Sequence, residues 1–554
     1  MFLIRVFSDK GIGIAVSIFL FLKEAVSPRD SARTALAAVI LCGLVLRMLF
    51  LGTYCLQFDE AASLMEVRVL EAPRLSISLP TYRPFYLYNI FVSFWKTLGE
   101  SETVLRFSSV LFGVLSIAAL FCFTRRLLGG KIALTAALIF AVSPMQVHYS
   151  QELTVYASSL FFSIVSMYFF TGIITSPRFS DYAGVLICNV ISVYCNHTAV
   201  FLPITQVICL VIYHEKLKTQ LTPLGVLLVL QTVFLLPWVY VMVKQYRFML
   251  HYTSGTGQIS FFLPGVSPKN LLSTLRNFSA GYYSSGWLRT AGSGLMLSLA
   301  GFSLFRISGI DRKKFLLFLL FLLFPMAVLF LYSRHVILYA DRYVLLSSVF
   351  LYILAAYAVS AARPKWKAVL LSCIVSSSVI SLALYYSNNT ELSPFERPGI
   401  NLRKDFKGAA DFLRAAGRPG DVFVHATETA VFPVYYYYRR SGFPGSKFPF
   451  RDTAPFLAEW LFGRREIPRL IIDEPDGRGL FVYECASPGL LDGQFKRRYE
   501  RLWLIISSWD TVDTGAWSGA LVRELLKDYK QERAAAFPGV KLFLFRRNDE
   551  NNWK

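Results

Sequence analysis

The chain has 554 residues, 55% of them hydrophobic and only 17% charged, against roughly 25% charged in an average soluble protein, and its mean hydropathy is +0.47. That composition excludes an ordinary soluble domain and indicates a polytopic membrane protein. The formal charge of +21 does not signal nucleic acid, because the Lys and Arg residues fall mostly in short loops between apolar spans, the positive-inside pattern.

The first 33 residues hold an apolar core from Gly11 to Leu22, too short to span comfortably and without a small-residue cleavage site. They read as an interfacial or re-entrant segment. Windows long enough to cross about 30 Å of hydrocarbon then fall at 34–52, 104–124, 131–147, 155–175, 182–196, 198–213, 222–243, 290–306, 315–333, 343–361 and 367–386. About eleven spans are therefore expected, in a mainly α transmembrane bundle over 34–386. The short basic connectors "RRLLGGK", "SPRFSD", "HEKLK", "RISGIDRKK" and "AARPKWK" alternate along the chain and assign one side to the cytoplasm. The other side then receives the loop 53–103, the turn "PMQVHYSQELTVY", the "NHT" turn, the loop 244–289, the "SRHVILYADRY" connector and everything after Tyr386. Residues 387–554 turn soluble in composition. An amphipathic helix at "DFKGAADFLRAAG" precedes strand-like "DVFVHA", "RLIIDE", "GLFVYE", "LWLIISS" and "VKLFLF", with helical patterns at 428–440 and 517–534, which reads as an α/β domain. Of the eight cysteines, Cys42, Cys122, Cys188, Cys209 and Cys373 sit in apolar runs and no C-x-x-C occurs. Neither a disulfide framework nor a zinc site is indicated.

The candidate chemistry lies on the non-cytoplasmic side. "LQFDEAASLMEV" places Asp59 and Glu60 side by side where the first span ends, either as solvated acids at a helix end or as a catalytic pair. In that pair Asp59 would be the base, and Glu60 would orient it or bind the acceptor. The following "LPTYRPFYLYNIFVSFWKTLG" resembles interfacial helices. Arg83 within it is either a snorkelling anchor or a lipid-phosphate contact with paired N–H donors. Glu152 and Tyr156, four residues apart, share one helix face. His148, four before Glu152, could make a metal pair with it, but two ligands are a weak signal and a capping role for Glu152 competes. His197 sits in a turn with Asn196, where a structural role is the commoner one. In "SRHVILYADRYVLL", Asp341 and Arg342 either cap the helix or pair with each other, or Arg342, followed by Tyr343, completes an anion site.

One carboxylate pair, two arginines, no nucleotide-binding loop and a site facing away from the cytoplasm together suit a group donor carried on a lipid. A sugar on a polyprenyl monophosphate is such a donor. Its phosphate, with a second pKa of about 6, leaves without a general acid. Only a base for the acceptor hydroxyl and cations for the departing charge are needed, and attack from the opposite face inverts the anomeric centre. The competing class is a transporter or flippase of lipid-linked glycans, which tends to keep ionisable groups or broken helices at mid-membrane. A third reading is a receptor or scaffold acting through its tail.

From about Thr34 to Tyr386 the chain resembles the polytopic GT-C glycosyltransferases, particularly bacterial proteins similar to protein O-mannosyltransferases and the lipid A aminoarabinose transferases. The resemblance rests on the order and placement of "FDEAASLMEV", "YRPFYLYNIFVSFWKTLGESETVLRFSSVLFGVLSIAALFCFTRRLLGG", "AVSPMQVHYSQELTVYASS", "YCNHT" and "ADRYVLL". It implies that Asp59 is the catalytic base, that Arg83 contacts the donor phosphate, and that Glu152 and the Arg342–Tyr343 pair belong to the site. It also implies an inner-membrane enzyme with its site and its 387–554 domain in the periplasm. The chain departs from many relatives in having Thr154 where they carry Arg, and in reducing the proline run after Arg83 to Pro84. Cofactors stay open: a divalent metal is compatible, but arginines alone could neutralise a phosphate.

Overall fold

The computed structural model describes residues 30–71, 86–256, 266–334, 339–387, 403–418, 420–426, 428–440, 470–473, 480–483, 499–507 and 514–548. Arg83 and the 11–22 segment lie outside them. The membrane part begins with α1 (Asp30–Met48), α2 (Phe58–Glu71), α3 (Tyr86–Trp95), α4 (Glu102–Leu128), α5 (Gly130–Val142), α6 (Pro144–Ser150), α7 (Val155–Thr175) and α8 (Phe179–Cys195). It continues through α9 (Phe201–Ile212), α10 (Leu221–Thr256), α11 (Pro268–Ala280), α12 (Gly286–Ile310), α13 (Arg312–Ser333), α14 (Leu345–Ala361) and α15 (Pro364–Tyr386).

Among the described residues, seven helices are long and apolar enough to cross a membrane, or eight if the α5–α6 pair, bent by 62°, counts as one. The windows at 182–196 and 198–213 became shorter apolar helices, and that at 34–52 became the 19-residue α1. Burial separates centre from rim. The spans built on α7, α14 and α4 are 89%, 78% and 67% buried in their apolar windows, while those on α10 and α15 are 17% and 28%, so the latter present their apolar sides outward to lipid.

Within the bundle, small and polar side chains join the helices where apolar contact has no water to escape from. Ser163 and Ser192 hydroxyls lie 2.7 Å apart between α7 and α8. Asn189 donates to Gln206 and Gln231 at 2.7 and 2.9 Å and accepts from Ser166 at 2.6 Å, tying α7, α8, α9 and α10.

The sharp bend between α5 and α6 follows from Pro144, which supplies no N–H and opens α6 at its first helical position. Behind it, Gly281 has φ +76 and a Cβ there would overlap the Pro144 ring. Ser143 and Tyr352 hydroxyls, 2.8 Å apart, and Gln146 donating to Ser348 at 2.9 Å fasten α6 to α14. All seven α6 residues are buried.

After α15 come α16 (Phe406–Ala416), α17 (Glu428–Arg440) and α18 (Thr514–Leu525) with strands β1 (Val422–His425), β2 (Leu470–Asp473), β3 (Leu480–Tyr483), β4 (Arg501–Ser507), β5 (Tyr529–Phe537) and β6 (Val540–Arg547). They form one mixed sheet in the order β2-β3-β1-β4-β6-β5, with β1 parallel to β3 and β4. Period-2 alternation sorts the side chains by face. Val422, Val424, Leu502 and Leu504 pack with Leu521 and Leu525 of α18, while Phe423, Trp503 and Ile505 join a core with Leu413 of α16 and Val434 of α17. The helix expected over 517–534 ends at Leu525, because the "YKQERAAAF" stretch is taken up as β5 against β6. Sheet pairing overrode a weak helical pattern there.

Candidate active site

Asp59 and Glu60 share the first turn of α2 but not an environment. Glu60 is 2% exposed in its side chain. Its Oε1 accepts from Arg106 Nε at 2.7 Å and from the Leu153 N–H at 3.0 Å, and its Oε2 from Arg106 Nη2 at 2.7 Å and the Gln57 N–H at 2.9 Å. Arg106, in the second turn of α4, spends its remaining donors on the carbonyls of Leu51, Tyr54 and Cys55. All five guanidinium N–H groups are thus engaged. Glu60 is neither solvated nor open to an acceptor; it fixes the 51–57 loop and the turn at Leu153. The expectation that Glu60 is solvated or binds the acceptor is corrected by its burial, and the sequence signal for its partner is an arginine, Arg106, inside the apolar window 104–124.

Asp59 instead points to the open side of the same turn. Its side chain is 24% exposed, and its Oδ2 accepts from Arg342 Nη1 at 2.9 Å. Arg342 is 18% exposed and comes from the 3₁₀ turn Asp341–Val344 that opens α14. Its guanidinium carbon lies 5.7 Å from the Tyr156 ring centre and 5.4 Å from that of Tyr343, within cation–π range. The Tyr343 ring in turn stands 6.1 Å from His197. Asp341 does not pair with its neighbour. Fully buried, it accepts from Thr274 Oγ1 and from Asn277 Nδ2, so α11 holds the turn that presents Arg342.

Glu152 occupies the bend between α6 and α7, with Oε1 3.1 Å from His148 Nε2. Burial pushes its carboxyl pKa up, but His148 together with Arg342 brings the net position below its ordinary value. His148 is buried against the rings of Tyr149, Tyr282 and Tyr385, at centroid distances of 4.9, 5.7 and 5.3 Å. His148 and Glu152 therefore form a contacting pair whose imidazole is packed among tyrosine rings. Among the described residues no group of three or more His, Cys, Asp or Glu side chains gathers to hold a metal ion.

Beneath the bend, Arg47 is fully buried and donates to Ser150 Oγ at 3.0 Å and to the Ala141 carbonyl at 3.0 Å, while Gln151 Nε2 donates to the carbonyls of Arg47 and Leu49. Beside Arg342 a partly open cleft lies between α7, α9 and α14, lined by Tyr156, Ser159, Ser163, Leu202, Arg342 and Leu345 among others. Its lining mixes Arg342 and the side chains of Ser159, Ser163, Asn196 and Thr198 with apolar Leu160, Leu202 and Leu345.

The structure thus gathers Asp59, Glu152, Tyr156, His197, Arg342 and Tyr343 at one end of the bundle. The chain superposes on ArnT from Cupriavidus metallidurans in the apo state, with a TM-score of 0.57 at 13% identity, covering 93% of this chain and 98% of that one.

The chain has the GT-C glycosyltransferase fold.

ArnT bound to undecaprenyl phosphate gives a TM-score of 0.55 with the same identity and coverage. The Archaeoglobus fulgidus oligosaccharyltransferase tethered to an acceptor peptide gives 0.50 at 11% identity over 95% of this chain and 75% of that one. The family described as Dolichyl-phosphate-mannose-protein mannosyltransferase matches residues 83–240, a segment of the GT-C fold that carries Glu152, Tyr156 and His197. No curated protein matches.

Proposed function

We propose that this protein transfers a sugar from a polyprenyl-phosphate carrier to an acceptor hydroxyl or phosphate oxygen, with inversion, at the outer face of a bacterial inner membrane. The observation that carries this reading is the 2.9 Å contact between Asp59 and Arg342. It puts a partly exposed carboxylate and a cation at one point, and Arg342 also lines a cleft with both polar and apolar walls. Asp59 takes the acceptor proton, the acceptor oxygen forms its bond to the anomeric carbon, and the carbon–phosphate oxygen bond breaks with its electron pair on the carrier phosphate. Arg342 shifts its donors to that phosphate as charge builds there. Glu152, paired with His148 and within electrostatic range of Asp59 and Arg342, orients the sugar or the acceptor, and Arg83 remains a proposed second phosphate contact.

Support comes from the shared fold with ArnT, one structure of which holds undecaprenyl phosphate, and from the family match over 83–240. The alternation of basic loops supports the outward orientation, with residues 387–554 as a periplasmic domain. The test is transfer from labelled polyprenyl-phosphate sugars by the purified chain in liposomes. Full transfer by Asp59→Asn would remove Asp59 as the base, and vectorial movement of glycolipid without bond formation would replace the enzyme by a flippase.

A further inference from the structure

Arg403 belongs to the segment that leads from α15 into α16, and nothing in its sequence context marks it. Its guanidinium carbon lies 4.0 Å from the Tyr54 ring centre and 4.3 Å from that of Tyr385. A guanidinium backed by aromatic rings offers N–H donors in a planar fork, a geometry suited to phosphate oxygens. The segment is seated firmly. Lys404 N–H donates to Gln57 Oε1 at 3.0 Å, Gln57 Nε2 donates to the Lys404 carbonyl at 3.1 Å, and Cys55 Sγ contacts the same carbonyl at 2.9 Å. Gln57 stands two residues before Asp59. On its other side, Tyr385 packs against His148 at 5.3 Å, the partner of Glu152, and lies within electrostatic reach of both Arg403 and Glu152.

Arg342 is presented in the same way, over Tyr156 and Tyr343, but from the α14 turn. Two aromatic-backed guanidinium groups therefore approach the Asp59 loop from different parts of the chain. We propose that Arg403 is a substrate-binding residue that contacts a phosphate, so that the segment joining the bundle to the C-terminal sheet completes the site. This deepens the proposed transferase reading and rests on it. The phosphate is either that of the carrier lipid or one borne by the acceptor.

The experiment measures equilibrium binding of two probes to the full chain in detergent: farnesyl phosphate for the lipid source and glucosamine 1-phosphate for the acceptor source. Arg403→Gln and Arg403→Met, the latter keeping the apolar stem between the rings, are expected to weaken at least one probe by about tenfold or more. The affected arm names the source. A cation that merely staples the segment to Tyr54 and Tyr385 would lower the thermal midpoint and leave both affinities at wild-type values, which would overturn the proposal. Should both variants fail to fold, Arg403→Lys keeps the charge but loses the planar fork; at least a threefold weakening of one probe supports the assignment and unchanged binding of both refutes it. If the wild type itself binds neither probe, the proposed function falls, and this inference with it, whereas Arg342→Gln losing farnesyl phosphate while both Arg403 variants keep both probes would refute this inference alone.

Discussion

Neutralising each of the adjacent acids Asp59 and Glu60 by one isosteric change should separate stability from activity. Glu60 is 2% exposed with four donors on two oxygens. Glu60→Gln replaces one acceptor oxygen by an NH₂ that must face Arg106 or a backbone N–H, and leaves the 6%-exposed guanidinium without its counter-charge. Removing one partner of such a buried pair costs about 3–5 kcal/mol. Asp59 is 24% exposed and lies 2.9 Å from Arg342 Nη1; solvent screening of this partly exposed pair keeps the loss from Asp59→Asn to about 1 kcal/mol. If Asp59 is the base, the same change lowers transfer by about 10²–10⁴-fold. The assays are thermal and denaturant unfolding of the detergent-solubilised chain by intrinsic fluorescence, beside transfer from a labelled polyprenyl-phosphate sugar. Asp59→Asn should be stable and inactive, and Glu60→Gln destabilised. A Glu60→Gln protein as stable as wild type, or an Asp59→Asn protein with full transfer, would refute the division of roles. The double variant Glu60→Gln/Arg106→Gln should be less damaged than the sum of its singles, because each single leaves an uncompensated buried group.

Arg342→Gln is expected to reduce transfer by about 10²–10³-fold, the cost of losing one donor to a developing anion, measured with the donor at saturation. Thr274→Val removes one donor to the buried Asp341 and should cost about 1–3 kcal/mol; transfer should fall as well, since that turn carries Arg342. A Cβ at Gly113 would overlap Ser150 Oγ and approach Arg47 Nε, so Gly113→Ala should destabilise the chain by about 1–3 kcal/mol and disturb the Glu152 bend, read as lost transfer in the fraction that remains folded. His425 on β1 is buried and its pKa is pushed down to about 3 by that burial. The unfolded chain takes up a proton near pH 6.5 and the folded one does not until about 3. Stability contributed by this site is therefore lost as pH falls from about 6.5 towards 3, by about 1.4 kcal/mol per pH unit. His425→Gln should flatten that slope in unfolding of the C-terminal sheet, followed by limited proteolysis of the full chain.

The amino-acid sequence by itself determined the class of the molecule. Long apolar windows need no tertiary partner to be recognised, because the bilayer sets their length. Strands such as "DVFVHA" and "LWLIISS" were equally legible from their composition and bounding turns. Motif order sufficed to nominate Asp59, Glu152 and Arg342, which lie up to 283 residues apart.

Tertiary structure alone decided which of two neighbouring acids meets solvent. Asp59 and Glu60 differ by about 100° of helix rotation, and only the position of Arg106 on α4 shows that Glu60 faces inward. It also decided that Asp341 bonds to Thr274 and Asn277 while Arg342 reaches Asp59, where the sequence equally allowed a local pair. The position of Arg106 inside an apolar window was legible, but its role, like that of Arg403, was not, because a cation's role depends on the groups that surround it. Those groups, the Glu60 carboxylate with three carbonyls in one case and the Tyr54 and Tyr385 rings in the other, come together only when distant segments pack.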